Sequence, residues 1–172
     1  MITEPTISDV DAIASLHAKS WQIHYRGALS DDFLDNKVLQ DRTQVWSERF
    51  NRPAADQFIR IVRIEGTIVA FMCAYFNESG QYGTLLDNLH VLPDMKGRGF
   101  GTALIGSLAQ AIVARQLTGG MYLWVLQQNT RAMGFYKSLG GLHTETVTEN
   151  GMGDSTIAKL RFYWPSVNIL LP

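Results

Sequence analysis

Cysteine is almost missing from this sequence. Cys73 is its only one, so no internal disulfide can form and no cysteine cluster is available for zinc. Its apolar setting, Phe71-Met72-Cys73-Ala74-Tyr75-Phe76, predicts a buried, inert thiol and not a nucleophile. Long hydrophobic runs are also missing, none approaching the roughly 18 residues of a membrane span. Met1-Ile2-Thr3-Glu4-Pro5 lacks the basic start and apolar stretch of a secretory leader, so a soluble, cytoplasmic chain with no membrane partner is expected. An excess of either charge is absent as well. With 15 basic and 16 acidic residues the net charge is −1, which gives no reason to expect a nucleic-acid partner.

What is present suits one ordinary globular domain. The chain has 172 residues, 46% of them hydrophobic and 18% charged, enough to bury a real core. It contains no repeat, low-complexity segment or linker. A short strand near Ile2 is followed by a helix capped at Ser8 or Asp9, with apolar residues at Val10, Ile13, Ala14 and Leu16 and a stop at Gly27. Ser30 can cap a short helical turn, and a third helix is expected from Leu39 to Phe50 with Val45, Trp46 and Phe50 buried. Strands are predicted over 58–64 and 68–76 as a hairpin through Gly66, then over 82–91. The second of these is apolar on both faces, as a central strand should be.

A helix should run from Gly99 or Gly101 to about Arg115, burying Leu104, Leu108, Ala111 and Ile112. Met121 to Leu126 reads as a buried strand reached by a parallel crossover. A short helix from Asn129 to Leu139 ends at Gly140-Gly141, and two closing strands, 142–148 and 155–163, flank a turn at Gly151 and Gly153. The class is α+β on a mixed sheet.

The turn Lys96-Gly97-Arg98-Gly99-Phe100-Gly101-Thr102 stands between a strand and a helix. Its glycines let a ligand approach the main chain, and the helix start aims unpaired N–H groups into the turn. Such a site suits phosphate. A dinucleotide fingerprint fails because Thr102 replaces the third glycine, and the acidic residue due about 20 positions later is missing. A P-loop fails because no lysine separates Gly101 from Thr102.

The same turn resembles the Gln/Arg-x-x-Gly-x-Gly/Ala pyrophosphate loop of the GNAT superfamily of N-acetyltransferases. Lys96 stands where that family usually has glutamine or arginine, keeping a donor but changing its geometry. Leu89-His90-Val91-Leu92-Pro93 is similar to the family's fourth strand. About 30 residues beyond the turn, Asn129-Thr130-Arg131-Ala132-Met133-Gly134-Phe135-Tyr136 is similar to its second cofactor motif. Leu16-His17, Ser20-Trp21 and Tyr25-Arg26-Gly27 are similar to one branch of it. The resemblance is weakest over 36–56 and after Leu142.

It implies a single GNAT domain over 1–172, with a mostly antiparallel sheet flanked by helices, whose fourth and fifth strands splay apart. It also implies acetyl-coenzyme A as donor and an amine of a small molecule, peptide or protein as acceptor. The pantetheine arm would lie in the gap and pair with main chain at Leu89 and Val91. Lys96, Gly97, Arg98, Gly99, Phe100, Gly101 and Thr102 would hold the pyrophosphate. Asn129, with Ala132 and Phe135, would line the arm's other side. With no cysteine in the motifs, direct transfer is expected over an acyl-enzyme route. A non-catalytic acyl-coenzyme A-binding or regulatory module on the same fold is the alternative.

Tyr136 is the candidate general acid. A thiol has a pKa of about 8.5 and a phenol about 10, so a hydrogen bond to the departing thiolate is easier than full proton transfer. Ala132, Phe135, Tyr136 and Leu139 also form a stripe at helical spacing, which core packing alone would explain. The base that deprotonates the amine is left open between Asp87, His90 and a water chain. Strict alternation puts Asp87 and His90 on opposite faces, unless a bulge resets it. Trp21, His24, Tyr25 and Asn88, with the acidic group Asp31, Asp32 and Asp35, are candidates for receiving the amine; helix packing and capping explain several of them equally well. Ile169, Leu170 and Leu171 are apolar enough to join a homodimer interface.

Overall fold

A computed structural model describes residues 1–150 and 156–172. The elements are β1 (Ile2–Thr3), α1 (Val10–His24), α2 (Asp31–Asn36), α3 (Val38–Asn51), β2 (Gln57–Ile64), β3 (Thr67–Ser79), β4 (Gly83–Val91), α4 (Phe100–Ala114), β5 (Met121–Leu126), α5 (Thr130–Ser138), β6 (Leu142–Asn150) and β7 (Thr156–Trp164). The expected turn at Gly151 and Gly153, and the start of a strand at Ser155, lie outside the described residues.

The strands form one sheet in the order β1-β2-β3-β4-β5-β7-β6. Every pairing is antiparallel except β4 with β5. β3 is central and buried from Ile68 to Ala74, and its period-2 alternation feeds two cores. Met72 and Ala74 pack toward Leu104, Leu108 and Ile112 of α4, while Phe71 and Cys73 pack toward Ile13 of α1 and Trp46 of α3. Cys73 is a buried free thiol whose pKa burial pushes up to about 12, so it is inert at neutral pH.

Local chemistry sets the helix ends with small departures from expectation. Asp9, one of the two expected caps, is the N-cap residue of α1, and a 3-10 turn over Ile7–Asp9 precedes it, begun by Thr6, whose N–H donates to Asp9 Oδ2 at 2.9 Å. Ser30 caps α2 as expected, accepting from the Phe33 N–H at 3.3 Å. In α3 Trp46 is fully buried, whereas Val45 and Phe50 are half-buried because they flank the face that meets the sheet. Near the C-terminus Ile169 and Leu171 are exposed, but Leu170 is not. It turns inward beside α4, its carbonyl so close to Gly106 that a Cβ there would lie 3.3 Å away. Among the described residues no helix is long and apolar enough to cross a membrane.

One feature of the sheet positions the site. β4 and β5 pair only at Thr84 with Met121 and Leu85 with Tyr122. The base of this parallel pair is tight, since a Cβ on Gly83 would sit 2.4 Å from the Gly119 carbonyl carbon. Immediately afterwards β4 bulges: Cys73 faces Asn88 and Ala74 faces Leu86, leaving Asp87 as the extra residue. From there β4 follows β3, β5 follows β7, and the two diverge.

Candidate active site

Between the parted strands lies a cleft of about 520 Å3. One wall is the free edge of β4 from Leu86 to Val91, continuing through Met95 and Lys96 into the first turn of α4. The other is the end of β5 with Asn129, Arg131, Ala132, Phe135 and Tyr136. Ser20, His24 and Tyr25 from α1 and its C-terminal cap close one side. Among the described residues no strand lies beside the edge of β4 that carries Leu89 and Val91, so main-chain groups there are open to a ligand.

At the head of α4, Gly97 and Gly99 have φ of +81° and +82°. A Cβ at either would meet open space, so the left-handed backbone and not crowding demands glycine. Gly99 is the N-cap, and the bond from Ala103 N–H to Gly99 C=O, 2.9 Å, starts the helix. Geometry leaves the N–H groups of Phe100, Gly101 and Thr102 without intrahelical acceptors. Gly101 is selected differently: a Cβ there would lie 3.2 Å from Phe135 Cζ, so the phenyl ring packs directly on the turn. Arg98 is exposed and does not line the cleft. On the opposite wall the Asn129 side chain caps α5, its Oδ1 accepting from Ala132 N–H at 3.1 Å. That leaves its amide as a donor.

Tyr136 is buried, its ring 5.4 Å from Phe135, 5.9 Å from Phe162 and 6.1 Å from Trp164 between centroids. Burial, and then the nearby Tyr25 phenol, raise its pKa well above the ordinary range, so it is a neutral hydrogen-bond donor. Packing and cleft lining are therefore both true of it. Tyr25 is raised as well, by burial and then by Asp87. Trp21 does not line the cleft. It stacks on Tyr25 at 4.6 Å and lies beneath the Arg42 guanidinium at 4.1 Å, supporting Tyr25 from behind.

The bulge overrides the alternation that set Asp87 and His90 on opposite faces. Arg49 of α3 donates to Asp87 Oδ2 at 2.8 Å and to Asn88 Oδ1 at 2.7 Å, drawing both toward the side of the sheet where His90 lies. His90 Nδ1 is 2.7 Å from Ser20 Oγ, and its ring is 4.5 Å from that of His17. Burial, then the neighbouring His24, Lys96 and Arg42, lower its pKa to about 3, so it stays neutral. His17 is buried and accepts from Trp46 Nε1 at 3.0 Å. The acidic group is already paired: Arg26 holds Asp31 and Asp35, and Lys37 holds Asp32. Arg26 thereby links the end of α1 to α2, and each of the three carboxylates already has a cationic partner.

Sequence reasoning missed Ser20, Arg49 and Arg131. Ser20 shares a helix face with His17 and His24, which is a usable signal. Arg49 carries none, because its partners are 38 and 39 residues away.

Comparison with known proteins agrees with this architecture. The family model described as Acetyltransferase (GNAT) family matches residues 12–140. An uncharacterized N-acetyltransferase of Bacillus subtilis, YuaI, is 22% identical, covering 98% of this chain and 95% of its own. Among solved structures, the PaiA N-acetyltransferase of Thermoplasma acidophilum in complex with coenzyme A superposes with a TM-score of 0.69 at 17% identity, covering 92% of this chain and 96% of that one. NAA60 of Arabidopsis thaliana, in complex with a bisubstrate analogue, gives 0.68 at 18% identity, covering 95% of this chain and 96% of that one. By the family match and the splayed sheet together, the chain belongs to the GNAT family of acetyltransferases.

Proposed function

We propose that this protein transfers the acetyl group of acetyl-coenzyme A directly to a primary amine of a small molecule, peptide or protein. The observation that carries the reading is the cleft itself. It offers open N–H donors at one end, a free strand edge along its length and a neutral phenol on the facing wall. Those features fit a donor with an anionic head and an amide-bearing arm.

In this reading the N–H groups of Phe100, Gly101 and Thr102, with Lys96, Gly97 and Gly99, hold the pyrophosphate, while Arg98 contributes through its main chain. Leu89 and Val91 bind the arm through their main chain, and the Asn129 amide with Ala132 and Phe135 flanks it. Bound there, the donor supplies an activated thioester. Tyr136 donates a hydrogen bond to its sulfur as thiolate character develops. Asp87 takes the ammonium proton, directly or through a water. His90 is engaged elsewhere, its Nδ1 lying 2.7 Å from Ser20 Oγ. With Ser20 it instead shapes the wall. Tyr25, supported by Trp21, and Asn88, held by Arg49, border the acceptor.

The test is release of free thiol from acetyl-coenzyme A across a diverse amine panel. Release above background with at least one amine is expected. Tight donor binding with no release across the panel would favour a non-catalytic acyl-coenzyme A-binding module.

A further inference from the structure

His24 and Lys96 meet at the cleft, His24 Nε2 lying 3.0 Å from Lys96 Nζ. An ammonium has only donors, so the imidazole nitrogen facing it must supply a lone pair. His24 is therefore neutral in this contact, with its proton on Nδ1. The groups around it favour that state. Lys96 from the turn before α4, Arg131 from α5 and His90 from β4 face it, and burial followed by Lys96 and Arg131 lowers its pKa.

The ring stands on an anchored segment. Gln128, in the turn between β5 and α5, donates through Nε2 to the carbonyl of His24 at 2.9 Å and to that of Arg26 at 3.0 Å. The end of α1 is thus tied at two places: through the His24 side chain to the glycine turn, and through main chain to the segment before α5. Lysine is a flexible point charge, unlike the rigid fork of arginine, and a single fixed acceptor removes much of its freedom. One N–H bond of Lys96 goes to His24. Two remain for the cleft, beside the open N–H groups of α4.

We infer that His24 is a positioning residue for the donor and not a contact for the acceptor: it fixes the Lys96 ammonium where a pyrophosphate must lie. This rests on the donor reading above. It also accounts for the departure at position 96, where a lysine with a built-in acceptor replaces the glutamine or arginine expected of the loop.

The experiment is equilibrium binding of coenzyme A, without amine, to the wild type and to His24→Ala, His24→Gln, Lys96→Ala and the Ala/Ala double variant. Pantetheine, which lacks the pyrophosphate, is the control probe. His24→Ala should weaken coenzyme A binding about 3- to 10-fold, the size of one ordinary hydrogen bond. The double variant should be no worse than Lys96→Ala alone. His24→Gln should recover most of the loss, because its amide oxygen can accept from Lys96, and pantetheine affinity should not change. Additive losses at the two positions would overturn the inference. So would wild-type coenzyme A affinity in His24→Ala combined with a raised KM for the amine, which would return His24 to the acceptor side. Should His24→Ala fail to fold, 15N NMR of the wild type decides: a protonated His24 Nε2 contradicts the inference, and an unprotonated one that shifts in Lys96→Ala supports it. A wild type that binds no coenzyme A would instead refute the donor reading beneath it.

Discussion

Arg49 Nη2 lies 2.8 Å from Asp87 Oδ2 and ties α3 to the one residue of β4 that the bulge leaves without a partner. The pair is largely shielded, with side-chain exposures of 22% and 30%, so its loss should matter. Arg49→Met keeps much of the stem but strands the Asp87 carboxylate and the Asn88 carbonyl. We expect stability to fall by about 1–3 kcal/mol, read from urea unfolding as a lower midpoint at unchanged m-value. KM for the amine should rise, because Asp87 and Asn88 lose their anchor.

Tyr136→Phe removes one hydroxyl and leaves the packing against Phe135, Phe162 and Trp164 in place. Losing a hydrogen bond to a developing anion should lower turnover about 10- to 100-fold. Coenzyme A affinity should stay within about twofold, since that bond strengthens only as the thiolate forms. Steady-state kinetics beside calorimetric binding separates the two. An unchanged rate would remove Tyr136 from the mechanism.

Gly99→Ala tests the turn through its backbone alone. The added methyl meets no neighbour, yet φ of +82° is strained for alanine by about 1–2 kcal/mol. Relaxation of that strain would rotate the N–H groups at the start of α4. A lower melting temperature and weaker coenzyme A binding are both expected, with pantetheine binding little affected.

Acid should destabilise the fold through its buried histidines. His90 has its pKa lowered from 6.5 to about 3, and burial lowers His17 in the same direction. Below pH 6.5 the unfolded chain takes up protons that the native state refuses, so stability falls as pH drops from about 6.5 toward 3. Each fully coupled histidine contributes a slope of about 1.4 kcal/mol per pH unit. His17→Phe should flatten the slope, whatever it does to absolute stability by taking the acceptor from Trp46. Urea unfolding at several pH values measures this.

The glycine turn was legible because left-handed positions at Gly97 and Gly99 are strongly selected for one residue type. The central strand was legible because burial on both faces writes a continuous apolar run from Ile68 to Ala74. The bulge at Asp87 was not, since one extra residue in Leu86-Asp87-Asn88 leaves no mark on composition and only pairing with Cys73 and Ala74 reveals it. The contact of His24 with Lys96 joins residues 72 apart, which local pattern cannot report. The acidic group at Asp31, Asp32 and Asp35 was ambiguous for a related reason: whether Asp31 and Asp35 are held by Arg26 depends on how the chain turns at Gly27. Ile169, Leu170 and Leu171 read alike in sequence, whereas the burial of Leu170 alone depends on α4 offering it the surface beside Gly106.

The most direct test of the account is a stoichiometry: purified protein, acetyl-coenzyme A and an amine found active in the panel, with free thiol and acetylated amine counted in the same sample. Direct transfer through the cleft predicts one acetylated amine for each thiol released, with both abolished or slowed together in Tyr136→Phe. Thiol release without acetylated amine, or tight coenzyme A binding with neither product for any amine offered, would contradict it.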